Sequence, residues 1–181
     1  MALSKIDIEN MVTGELTTTN GGTGATSFTA GKIGQVVYGE YNQAIESSAG
    51  GRIDSGLTAS ITPSATSSKV LVMVTQQTDK GNSSSAGNYF HLILQRQIAS
   101  GGYSDVKYVT ALGNYHAGTA SGDKHIGADE YSLHHLDTTN TTSQVDYKTT
   151  TNAETGLITN TDDTGSTHRG EASMVLMEIL A

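Results

Sequence analysis

Apolar residues in this chain come in short bursts, and glycine, serine, threonine, asparagine or the single proline cuts each burst off. No stretch of ten or more residues carries the 3.6-residue spacing of an amphipathic helix, and no heptad repeat is present. A pattern of this kind restricts the backbone to short strands joined by turns. Residues 56–62 show it best: Leu57, Ala59 and Ile61 fall on one face of an alternating strand, and Pro63 ends it. Residues 70–74 and 174–180 are instead apolar at consecutive positions, which predicts central strands buried on both faces. Further strands are expected at 35–41, 89–96, 106–112, 131–136 and 144–149. About eight strands with frequent turns predict an all-β, jelly-roll-like antiparallel β-sandwich.

Composition narrows what such a sandwich can do. Hydrophobic residues make up 35% and charged residues 15%, both below the average for a globular domain. Hydroxyl and amide side chains and 21 glycines fill the difference. A disordered chain would use charge and proline instead, so the polar faces of the strands are expected to be threonine-rich, with their oxygens in water. The formal charge is −8 and no basic run is visible, which argues against nucleic acid and anionic membrane as partners. With no cysteine there is neither disulfide nor thiolate chemistry. No apolar run approaches a membrane span, and the N-terminus lacks a signal-peptide core.

The first 31 residues differ from the rest. Ile6, Ile8, Met11, Val12 and Leu16 are sparse, and a threonine- and glycine-rich run follows them. This segment, 1–31, is expected to be an extended N-terminal anchoring arm whose five apolar side chains make the attachment. Residues 32–181 are expected to form the sandwich.

Several segments carry a resemblance. Asn20-Gly21-Gly22-Thr23-Gly24-Ala25-Thr26-Ser27-Phe28 contains an Asn-Gly-Gly-Thr-Gly motif that is similar to one found in the fibre proteins of tailed bacteriophages. Lys32-Ile33-Gly34-Gln35-Val36-Val37 resembles the strand that opens a C-terminal β-module of virion surface proteins. That module continues in residues 57–72, 90–96, at Tyr147-Lys148 and in 174–179. The resemblance implies a homotrimer displayed on a virion and assembled in the host cytoplasm, with other capsid or tail proteins as partners. A short arm ahead of the module suits a short fibre or knob exposed to the host. The alternative is a decoration protein that stabilises the capsid, and a lesser one is a glycan-binding or glycan-degrading module.

The residues show no constellation for catalysis, and no enzyme activity or cofactor is expected. His134 and His135 are adjacent, so on a strand they point to opposite faces and cannot share a metal within one subunit. Asp129-Glu130 and Asp162-Asp163 lack the spaced oxygen ligands of a calcium loop. The aromatic set is uneven, with eight Tyr against two Phe and no Trp. Tyrosine joins an apolar ring to a polar tip and so suits subunit interfaces and sugar contacts. Tyr115 and Tyr131, beside the polar, Gly-rich loop expected at 114–130, are the candidate receptor contacts, with a host surface glycan as the expected ligand class.

Overall fold

The computed structural model describes residues 32–47, 51–80, 90–112, 129–153, 157–159 and 170–181. These residues build ten strands: β1 (Ile33–Tyr41), β2 (Ile45–Ser47), β3 (Gly51–Ile61), β4 (Lys69–Lys80), β5 (Phe90–Ile98), β6 (Ser104–Leu112), β7 (Asp129–Thr138), β8 (Val145–Ala153), β9 (Leu157–Thr159) and β10 (Ala172–Ile179). Ile6, Ile8, Met11, Val12 and Leu16, expected to make the attachment, and Tyr115, expected to contact a receptor, lie outside the described residues.

The eight long strands pair as nested antiparallel hairpins. β5 pairs β6, β4 pairs β7, β3 pairs β8, and β1 pairs β10. Folding this nest over on itself makes two sheets. One runs β1-β10-β4-β7 and the other β3-β8-β5-β6, the wrapped arrangement of a jelly roll. The short strands extend the first sheet. β10 leaves β4 at Gln76, β9 takes over at Thr78–Lys80, and β2 pairs with β9.

Alternation decides which side chains enter the core. Leu57, Ala59 and Ile61 of β3 point inward with Leu92 and Leu94 of β5 and with Val145 and Tyr147 of β8. They meet Val70, Val72 and Val74 of β4, Leu133 of β7, and Ala172, Met174 and Leu176 of β10. Two glycines allow close approach at the β1–β3 border. A Cβ on Gly39 would stand 2.5 Å from the Thr58 carbonyl oxygen, and one on Gly56 would meet the Tyr41 ring at 2.5 Å. Gly56 also has φ of 79°, a conformation that glycine accepts without strain.

Three expectations need correction. Residues 70–74 and 174–180 are buried on one face only. Leu71, Met73, Val175 and Met177 on the other face are half-buried, because no second layer of described residues covers that side. The strand expected at 70–74 runs on as far as Lys80, since β9 supplies a partner there. Threonine does not always face water either. Thr149, Thr150 and Thr151 are buried, because β8 is flanked by β3 and β5 in the middle of its sheet.

Candidate functional site

Much of the polar chemistry inside the sandwich holds the two sheets together. Asp137 on β7 is buried and receives both Nη1 contacts of Arg96 from β5, at 2.7 and 2.9 Å, and the Tyr147 hydroxyl from β8, at 2.7 Å. Burial, and then the bond to Asp137, raises the Tyr147 hydroxyl far above its ordinary pKa, so it remains a donor at every accessible pH. His135 approaches the same carboxylate at 4.0 Å. Further along, Thr149 donates to Gln76 Oε1 at 3.0 Å, and Ser55 donates to the Thr149 carbonyl at 3.0 Å. Glu178 closes one end of the sandwich. Its Oε1 accepts the Ser64 N–H and hydroxyl, each at 2.6 Å, and its Oε2 accepts Gln35 at 2.9 Å. Burial alone would raise this carboxyl, but the bonds from Ser64 and Gln35 outweigh it and hold the pKa at about 2.

These groups are occupied with each other, so among the described residues the broad surfaces open to a partner are the two outer sheet faces. The outer face of β3-β8-β5-β6 is polar and latched. Arg52 on one edge strand, β3, makes a two-pronged pair with Asp105 on the other edge strand, β6, each contact 2.9 Å. The pair therefore spans β8 and β5, and Ile93 on that side of β5 is fully buried. The hydrogen bond from Arg52, then that from Gln95, holds the Asp105 carboxyl below its usual range. Lys148 reaches Asp54 at 2.6 Å and lies over the Tyr103 ring at 4.5 Å. Tyr103 and Tyr108 are exposed here, and Tyr108 stands beside the His91 ring at 5.1 Å.

The outer face of β1-β10-β4-β7 is the opposite in character. Register places Val36, Met177, Leu71 and Leu136 side by side across all four strands. The next row is Tyr38, Val175, Met73 and His134. Val36 is 55% exposed, Tyr38 56% and Leu136 50%. An open apolar surface four strands wide exceeds the scattered exposed hydrophobics of an ordinary monomer.

Tyr131, one of the two receptor-contact candidates, lies on β7 opposite Gln76, partly buried against the core. His134 and His135 do face opposite sides, the first exposed and the second half-buried. Sequence reasoning missed the Arg52–Asp105 pair, 53 residues apart, and the Asp137 cluster, in which Arg96 lies 41 residues and Tyr147 10 residues from the acid. The apolar rows did leave a signal, the consecutive apolar residues of β4 and β10, but it was read as internal burial.

No family model matches the chain, and comparison with curated proteins returns no match. Among solved structures the chain is similar to that of infectious bursal disease virus Gt strain, with TM-score 0.37 and 14% identity over 87% of this chain and 40% of that one. It is also similar to that of the Gx strain, with TM-score 0.37 and 12% identity over 82% of this chain and 39% of that one. A third similar structure is the VP2 subviral particle of infectious bursal disease virus, with TM-score 0.32 and 14% identity over 82% of this chain and 33% of that one. The chain thus spans less than half the length of the structures it matches.

Proposed function

We propose that this chain is a non-enzymatic structural protein of a virion surface, a homotrimeric short fibre or knob of a tailed bacteriophage, displayed to the host. Residues 1–31 anchor it to the particle, with Ile6, Ile8, Met11, Val12 and Leu16 making the attachment. The observation that carries this reading is where the resembling segments fall. Residues 32–37, 57–72, 90–96, Tyr147-Lys148 and 174–179 lie on or between β1, β3, β4, β5, β8 and β10, strands of both sheets. The resemblance is therefore carried by the framework itself rather than by incidental loops. Polar groups of that framework are engaged in cross-sheet latches, as befits a part that bears load. Tyr115 and Tyr131 remain the proposed host contacts, and the exposed Tyr103 and Tyr108 offer rings of the kind a glycan stacks on.

The apolar face of β1-β10-β4-β7 favours a second reading, a capsid decoration protein, because lattice contacts need such a surface. Counting copies per purified particle separates the two. A few tens or fewer is the outcome for fibres, and hundreds for decoration. Absence of the chain from purified particles refutes both.

A further inference from the structure

The apolar face has charged ends of opposite sign. At the end where β1 begins, Lys69 stands in the row next to Val36, and Lys32 precedes β1; both are exposed. At the other end, beyond the Tyr38 row, Glu40, Glu171 and Glu130 are all exposed. Between the ends, the two apolar rows contain no Asp, Glu, Lys or Arg, in a chain of net charge −8. Two copies of so acidic a chain repel each other over most approaches. On this face they can meet without burying an unpaired charge.

We infer that the outer face of the β1-β10-β4-β7 sheet docks on the same face of a second copy, turned end for end. Turning one copy about a two-fold axis in the plane of the face, perpendicular to the strands, lays the Val36 row of one copy over the Tyr38 row of the other. The same rotation brings Lys69 of each copy to the acidic end of its partner, so the contact is self-complementary, as a two-fold interface must be. Size agrees. The two apolar rows together with the flanking rows of Lys69 and of Glu40, four strands by four rows, cover roughly 500 Å² per copy at ordinary strand spacings, and about 1,000 Å² in total is the threshold for a specific interface. Sheets stacked in this way pack about 10 Å apart, with side chains of both filling the gap.

The pair goes beyond the three-fold assembly proposed above, and the two fail separately. The pair alone gives two copies, paired trimers give six, and a trimer without the pair gives three. Sedimentation velocity of the full chain at tens of micromolar is expected to show two or six copies. Val36→Glu with Leu136→Glu, both at exposed positions, should halve that number, with the contact weakened at least about tenfold. A wild-type chain of one or three copies overturns the inference, as does an even assembly that the double variant leaves intact. A charge exchange tests the orientation. Lys32→Glu with Lys69→Glu makes both ends acidic, and Glu40→Lys, Glu130→Lys and Glu171→Lys together make both ends basic. Each variant alone should fail to pair, and an equimolar mixture should pair again. Failure of the mixture to recover the even assembly overturns the end-for-end arrangement.

Discussion

The Tyr147 hydroxyl donates to Asp137 Oδ2 across 2.7 Å, from β8 of one sheet to β7 of the other. Arg96 reaches the same carboxylate from β5, so a single buried acid is held by two strands of the facing sheet. Removing one partner is not equivalent to removing the other. Tyr147→Phe deletes one bond to a charged acceptor and should cost about 1.5–3 kcal/mol. Arg96→Met leaves the Asp137 charge buried without its counter-ion and should cost about 3–5 kcal/mol. Urea unfolding of both variants checks the order. An Arg96 variant as stable as the Tyr147 variant means that the carboxylate is not held as a buried ion pair.

Glu178 makes acid stability predictable in sign. Its folded pKa of about 2 lies below the ordinary 4.5, because the bonds from Ser64 and Gln35 favour the charged form. A depressed carboxyl contributes stability that is complete above pH 4.5 and is lost as the pH falls toward 2. Glu178→Gln should lower stability at pH 7, since its amide turns a donor toward donors. It should also flatten the wild-type decline between pH 4.5 and 2. Thermal melts of both proteins across that window decide it, and equal slopes rule out the latch.

Strand positions were legible in the sequence where one face is apolar and the other is not, as in β3, because burial then writes a period of two directly into the residues. β4 and β10 misled for a physical reason. A run of consecutive apolar residues reads as burial on both faces, but it does not say whether its own chain supplies the cover. Leu71, Met73, Val175 and Met177 were therefore read as core, although the described chain leaves them half-covered. The Arg52–Asp105 pair and the Asp137 cluster were out of reach for a different reason. They exist only once nested pairing has set the strand order, and no local pattern marks an arginine that will cross a sheet. β2 and β9, three residues each, have too little pattern to register.

The glycine at position 56 should be hard to replace. Gly56→Ala meets two penalties, a left-handed backbone and a Tyr41 ring 2.5 Å from the new Cβ, and should cost about 1–3 kcal/mol. Gly102 has open space within 4 Å and no such backbone constraint, so Gly102→Ala serves as the control and should change stability by less than about 0.5 kcal/mol. At this chain length the first substitution should lower Tm by several degrees, on the order of 2–4 °C per kcal/mol. Equal Tm values for the two variants refute the close approach of Tyr41 to β3.

Host contact and capsid reinforcement can be separated on the particle. If the chain is an exposed fibre or knob, Tyr115→Ala should leave assembly intact and weaken adsorption about fivefold or more, the loss of roughly 1 kcal/mol of contact. Tyr131 needs a gentler change, because its ring packs against the core. Tyr131→Ala would cost about 1–3 kcal/mol of stability through lost burial and confuse the readout. Tyr131→Phe keeps the ring and removes only the hydroxyl, so a fall in adsorption with unchanged Tm assigns that hydroxyl to the host. A decoration protein responds differently. Neither tyrosine variant alters adsorption, while particles lacking the chain lose infectivity at a lower temperature than wild type, because lattice contacts stabilise by mass action at high local concentration. Deleting residues 1–31 adds a third arm. The sandwich should still fold, since the described core is built from residues within 32–181, but it should no longer remain on the particle. Retention of the truncated chain at wild-type copy number would move the attachment onto the sandwich itself, and the apolar sheet face would be the first place to look for it.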